Sequence, residues 1–170
     1  MKEFLEMQTE DIEACGEIYM QAFPSNYYSR DKQPFVRYFS PFIGDYDKYA
    51  YVLKENDVVL GFITALRRPS ILENEHIFID AIAVLPEYQK QGSGTFMLAT
   101  FVKLFSVKDY IMLETKKNIP AYQMYKKMGF ALNDGIISIY YNSVTAEMIK
   151  EIEELRAKNG TTKETSAGDL

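Results

Sequence analysis

The chain has 170 residues and a mass of 19.7 kDa, with 47% hydrophobic and 25% charged positions, the balance of an ordinary globular protein rather than of a disordered, collagenous or coiled-coil one. Nineteen Lys and Arg against 24 Asp and Glu give a net charge of -5, which opposes nonspecific attraction to phosphate polymers, so nucleic acid is not an expected partner. Cys15 and His76 are the single cysteine and histidine, which excludes an intramolecular disulfide and a zinc cluster of Cys and His ligands; no metal is expected.

A chain of roughly 150 residues buries about 70% of its extended-chain surface, so one domain can form a core without staples. The expectation is a single domain over 1–158 followed by a polar, disordered tail over 159–170, where Ala167 and Leu170 are the hydrophobic positions. The beginning of the chain carries Glu3, Glu6, Glu10, Asp11, Glu13 and Glu17, unlike the basic and apolar regions of a signal peptide. No apolar run approaches the roughly 18 residues of a membrane span. A cytoplasmic protein without a membrane partner is expected.

Thr9 followed by Glu10 and Asp11 reads as a helix N-cap with acidic first-turn residues, and Ile12, Cys15, Tyr19 and Ala22 follow at helical spacing. This predicts a helix to about Phe23, stopped by Pro24, with Cys15 on its packing stripe. Ten of the 29 residues from 23 to 51 are aromatic, which fits either a short helix and loop packed on the core or a Tyr-rich acceptor wall. Residues 49–54 and 58–66 read as strands joined at Asn56-Asp57, and 76–85 as a third, giving an antiparallel meander. A helix buried on most sides is predicted over 95–107, a short strand over 111–114, a short helix over 120–128, and a strand pair, 130–132 and 136–141, around Asn133-Asp134-Gly135. A last helix is expected over 144–156, with Met148, Ile152 and Leu155 on one face. The fold class is mixed α and β.

The chemistry is expected between residues 79 and 95. A strand ending Asp80-Ala81-Ile82-Ala83-Val84 is followed by Gln89-Lys90-Gln91-Gly92-Ser93-Gly94, which enters the buried helix. Glycines between a strand and a helix let backbone N–H groups converge on an anion, and the helix terminus adds unsatisfied donors and the positive dipole end. It is neither a Walker loop, lacking Gly-Lys-Ser/Thr, nor the dinucleotide fingerprint, because Met97 stands where the third glycine belongs.

Together with Asn118-Ile-Pro-Ala121-Tyr122-Gln-Met-Tyr125-Lys-Lys-Met-Gly129-Phe130, the segment resembles the GNAT superfamily of acyl-coenzyme A N-acyltransferases. Gln89 to Gly94 is similar to that family's Gln/Arg-x-x-Gly-x-Gly/Ala pyrophosphate loop, and the later stretch to its Asn-x-x-Ala-x-x-x-Tyr-x-x-x-Gly-Phe motif. The resemblance implies a mixed, mostly antiparallel sheet of about six or seven strands flanked by helices and splayed between its fourth and fifth strands. It implies acetyl-coenzyme A as co-substrate, with its pyrophosphate on the amides of Gln91, Gly92, Ser93, Gly94 and Thr95, its pantetheine arm along Ile82, Ala83 and Val84, Asn118 on the opposite side, and Gln89, Lys90 and Tyr122 as further cofactor-binding residues. A strand bulge would aim an amide near Ala83 at the thioester carbonyl. Lys90 has the better claim to a cofactor phosphate than Lys116, Lys117, Lys126 and Lys127, which fit a solvated face.

Ala121, Met124, Tyr125 and Met128 fall at i, i+3, i+4 and i+7, so Tyr125 faces inward. A neutral phenol is a donor at neutral pH, which suits a leaving thiolate, although a core tyrosine would share the pattern. By strand alternation Asp80 shares a face with Phe78, Ile82 and Val84, a costly place for a carboxylate unless it is paired or its pKa is raised; a bulge would reverse that parity. Asp80 is the candidate base, against a structural ion pair or cap, and His76 reads as a strand-end surface residue. The expected activity is acetyl transfer to a primary amine of a small molecule or peptide. The alternative is a catalytically idle acyl-coenzyme A binding or sensing module. Asp45 and Asp47 in the Tyr-rich region favour a cationic acceptor, and a homodimer is a habit of the family.

Overall fold

A computed structural model describes residues 1–23, 33–69, 75–105, 110–115, 119–133, 136–140 and Glu154. The expected helix over 144–156 and the tail over 159–170 lie outside the described residues, Glu154 excepted, as do Asn118, Lys116 and Lys117. The elements are β1 (Lys2–Glu6), α1 (Ile12–Ala22), α2 (Gln33–Phe39), β2 (Lys48–Glu55), β3 (Val58–Arg68), β4 (His76–Val84), α3 (Ser93–Val102), β5 (Tyr110–Glu114), α4 (Ala121–Lys127), β6 (Ala131–Asn133) and β7 (Ile136–Tyr140).

The strands form one seven-stranded sheet in the order β1-β2-β3-β4-β5-β7-β6. Strands β1 to β4 are a continuous antiparallel run, and the parallel contact is β4 with β5. The Asn56-Asp57 turn is read correctly from sequence: both residues take positive φ, 50 and 65°, as a two-residue type I′ hairpin requires. Strand β1 was not anticipated, because Lys-Glu-Phe-Leu-Glu is short and gains its place only by pairing with β2.

Alternation along the strands separates two apolar layers. Tyr51, Leu53 and Ile63 face α3 and α4, whereas Ala50, Val52 and Phe62 face α1 and α2. Helix α3 is buried almost all round, from Phe96 through Val102, and each large side chain removed from water there contributes roughly 1.5–3 kcal/mol. It spans Ser93–Val102 rather than 95–107. Gly92, with φ 84°, turns the chain into the helix two residues earlier than expected, and residues 103–105 continue only as a turn with Leu104 N–H bonded to Phe101 C=O at 3.0 Å.

The first helix also begins later than its sequence suggested. Thr9–Asp11 is a 3-10 turn, closed by Gln8 N–H donating to Asp11 Oδ2 at 3.0 Å. Asp11 is only 3% exposed and pairs with Lys54 at 2.7 Å, so it ties α1 to β2 rather than decorating a solvated first turn. Cys15 is fully buried in the α1/α2 layer, and burial pushes its thiol pKa well up, consistent with a packing role.

Candidate active site

Two irregularities in the sheet create the site. The first is a split: β4 and β5 pair only from His76↔Tyr110 to Ile79↔Leu113, while β4 runs on to Val84 along β3. The second is a bulge. Thr64 is opposite Ala81 and Ala65 opposite Ile79, so Asp80 is the extra residue of β4. The side-chain faces exchange across it: Ile77 and Ile79, then Ile82 and Val84, belong to the α3/α4 layer, whereas Ala81 and Ala83 belong to the other.

This corrects the alternation argument. Asp80 does not share the α3/α4 face with Ile82 and Val84; its side chain lies on the α1/α2 side, where Tyr38 Oη donates to Asp80 Oδ2. Tyr38 Oη is also 2.9 Å from Thr64 Oγ1, on the neighbouring strand. Asp80 is exposed rather than sealed in a core, so the desolvation cost that made it conspicuous in sequence does not arise. Burial, and then the hydrogen bond to Asp80, push the Tyr38 pKa up, so this phenol is neutral and donates.

Backbone direction at the split follows from one bond. Leu85 N–H donates to Leu60 C=O at 2.9 Å across β3, and in an antiparallel ladder such bonds recur at every second residue. Ala83 therefore addresses β3, and Ile82 and Val84 present their backbone groups to the split. The expected amide near Ala83 is corrected to a neighbour, Ile82 or Val84. Val84 C=O already accepts Gln89 Nε2 at 2.9 Å.

The glycine loop turns into α3 through two left-handed residues. Lys90 and Gly92 take positive φ, 58 and 84°, and Gln91 Nε2 donates to Glu87 C=O at 2.6 Å. The first helical bond of α3 is Phe96 N–H to Gly92 C=O, 2.8 Å, which leaves the amides of Ser93, Gly94 and Thr95 ahead of the helical ladder. Ser93 is buried and its Oγ accepts Lys2 Nζ at 3.1 Å. Lys2, missed by sequence reasoning, thereby places a cation at this terminus; only the β1–β2 pairing brings it there. Lys90 is exposed.

Tyr125 projects from α4 and is 5% exposed, its ring 5.8 Å from that of Phe130. Burial pushes its pKa up to about 12. Tyr122, one residue before Gln123 on the same helix, is half-buried, with Lys126 Nζ 5.8 Å from its ring. His76 is a half-buried strand-end residue away from the split, at the paired end of β4.

One cavity of about 740 Å³ joins Tyr38, Asp80 and Tyr125, whereas the glycine loop lies outside its lining. It is lined by Tyr19, Phe23, Pro34, Phe35, Tyr38 and Phe39 on one side, by residues 79–82 at its centre, and by Leu113, Glu114, Thr115, Ile119, Ala121 and Tyr125 on the other. Only because β4 and β5 part after Ile79 can Tyr125, from the α3/α4 layer, and Asp80, from the α1/α2 side, share a cavity. Within the aromatic segment Phe35, Phe39 and Phe42 pack on the core, and Phe23, Phe35, Tyr38 and Phe39 line the cavity; Tyr27 and Tyr28 lie outside the described residues. Among the described residues no group of three or more His, Cys, Asp or Glu could hold a metal ion, and no helix is long and apolar enough to cross a membrane.

Comparison with known proteins agrees with this fold. Residues 12–130 match the acetyltransferase (GNAT) family, and the chain belongs to that family. No curated protein matches the chain. Solved structures are similar in fold at low identity. A putative GNAT acetyltransferase from Desulfovibrio desulfuricans gives a TM-score of 0.67 at 16% identity, covering 83% of this chain and 99% of its own. Naa50 from Arabidopsis thaliana, in complex with the bisubstrate analogue CoA-Ac-MVNAL, gives 0.63 at 18%, covering 81% and 97%. Glucosamine-6-phosphate N-acetyltransferase, also from Arabidopsis thaliana, gives 0.63 at 15%, covering 79% and 94%.

Proposed function

We propose that the protein is an N-acetyltransferase that uses acetyl-coenzyme A and a primary amine. The observation that carries this reading is the cavity at the β4/β5 split, which sets a carboxylate and a neutral phenol from opposite layers against the same stretch of open strand. The chain's residues fit the co-substrate. The free amides of Ser93, Gly94 and Thr95, reached through the left-handed Gly92, suit a pyrophosphate, with Lys90 and Lys2 as nearby cations. Ile82 and Val84 offer backbone to an extended arm.

Acetyl-coenzyme A supplies an activated acyl carbonyl and a thiolate leaving group. Asp80 takes the proton of the acceptor ammonium, directly or through a water, and Tyr38, itself bonded to Thr64, holds the carboxylate in place. The amide of Ile82 or Val84 donates to the carbonyl oxygen where negative charge develops. Tyr125, neutral up to about pH 12, donates a hydrogen bond to sulfur. A phenol with so high a pKa is a weaker acid than a thiol, whose reference value is about 8.5, so stabilising the thiolate by a hydrogen bond accounts for its role better than full proton transfer.

Thermal unfolding with acetyl-coenzyme A, coenzyme A, ATP and NAD side by side tests the reading. Ligand at 100 times its dissociation constant adds about 2.7 kcal/mol, on the order of 5–10 °C for a domain of this size. The expected result is a shift with the coenzyme A compounds alone, followed by amine-dependent thiol release. A shift only with ATP or NAD, or none, overturns it. A coenzyme A shift without thiol release across a broad panel of amines would leave the binding module instead.

A further inference from the structure

The acceptor side of the cavity has a definite chemical character. Its wall is a run of aromatic rings from α1 and α2: Phe23 lies 4.9 Å from Tyr19, and Tyr19 6.1 Å from Phe35, centroid to centroid, with Tyr38 beyond. Phe23 is 41% exposed and Ile119, across the cavity, 36%. Two large apolar side chains held partly in water at the edge of one cavity are an unfavourable arrangement that an apolar occupant would relieve. The ionised groups in the lining are Asp80 and Glu114, and no Lys, Arg or His belongs to it among the described residues.

From this we propose that the acceptor is a primary ammonium carried within a few bonds of a bulky, uncharged apolar group, preferably aromatic. The inference rests on the acetyltransferase reading and narrows its substrate. Asp80 receives the ammonium through Oδ1, since Oδ2 accepts Tyr38 Oη, and the aromatic faces add cation–π attraction beside it. The apolar body then lies against Phe23, Tyr19 and Phe35. A phosphate or carboxylate on that body would meet two carboxylates, with no cation to pair it among the described lining residues. A second ammonium far from the first would lose hydration against the apolar rings, with Glu114 as its one counter-charge in the described lining.

The same chemistry is found in an arylalkylamine and in a peptide whose first residue is large and apolar, and the experiment separates the two. Purified full-length protein is assayed for thiol release from acetyl-coenzyme A with phenethylamine, a peptide beginning with Met, spermidine and glucosamine 6-phosphate. At least one of the first two should exceed both of the last two in kcat/KM by about tenfold or more, a discrimination within reach of an apolar pocket; which of them leads identifies the source. Phe23→Ala should lower the ratio of kcat/KM for phenethylamine to that for ethylamine by about fivefold. Binding is read independently by calorimetry, titrating phenethylamine and the Met peptide into protein saturated with coenzyme A. Higher kcat/KM for spermidine or the sugar phosphate, an unchanged ratio in Phe23→Ala, or heat from neither apolar amine overturns the inference. Failure of the acetyltransferase reading is a different result, namely no thermal shift with any coenzyme A compound, and calorimetry without coenzyme A then decides the pocket.

Discussion

Tyr125 and Asp80 are brought to one cavity by different means, and their variants should fail differently. Replacing Tyr125 by Phe removes a donor without changing ring packing against Phe130. If the phenol supports the leaving sulfur, kcat falls by about 10- to 1,000-fold while the dissociation constant of acetyl-coenzyme A changes little. Equal kcat in the two proteins, measured by single-turnover thiol release, would return Tyr125 to the role of a core tyrosine. Asp80→Asn keeps the shape and the Tyr38 hydrogen bond but removes the proton acceptor, and kcat/KM near neutral pH should drop by about 100-fold or more. Wild-type activity in that variant would make Asp80 a structural anchor for α2. Tyr125 was readable from sequence because helical spacing alone fixes its face. For Asp80, alternation alone gives the wrong face, because its direction depends on how β4 is paired.

At the scale of elements, a bulge is a property of two strands. Nothing in His76-Ile-Phe-Ile-Asp-Ala-Ile-Ala-Val marks which residue will stand opposite the gap between Thr64 and Ala65. The meander around it was readable, since alternation and the Asn56-Asp57 turn are local signals. The same distinction applies to α2, whose position depends on Gly16 of α1. A Cβ added at Gly16 would stand 2.8 Å from Phe35 Cγ and 3.0 Å from its Cβ, closer than atoms can approach, so the two helices meet only because this residue is glycine. Gly16→Ala should push α2 outward and cost about 1–3 kcal/mol, as overpacking generally does. Since Phe35, Tyr38 and Phe39 line the cavity, the acceptor KM should rise while the glycine loop, on the other layer, keeps its affinity for coenzyme A. Denaturant unfolding and two-substrate kinetics measure these together. A loss of coenzyme A affinity equal to the rise in KM would show that α2 is not a separate wall.

Across the whole molecule, the α3/α4 layer holds buried groups whose protonation differs between folded and unfolded chains at high pH. Tyr51, on β2, is 5% exposed and stacks on Phe4, with ring centroids 5.1 Å apart. Burial, reinforced by the Glu6 carboxylate, pushes its pKa up to about 12, the same value that burial gives Tyr125. In the unfolded chain both phenols return to the ordinary value near 10. Below about pH 10 they are protonated in both states and contribute nothing to the pH dependence. Between about pH 10 and 12 the folded protein holds protons that the unfolded chain has released, so the unfolding free energy declines as pH rises. Urea unfolding at pH 8, 10 and 11 should give similar stability at the first two and a clear loss at the third. Tyr51→Phe supplies the control: with one buried phenol gone, the loss between pH 10 and 11 should shrink. Tyr125→Phe should do the same from the opposite end of the core, and the two effects should add, because the residues sit on different elements and titrate without a shared partner. Curves that stay parallel to the wild type would show that neither phenol keeps its proton in the folded state beyond the ordinary range, and would leave Tyr125 a neutral donor only up to about pH 10.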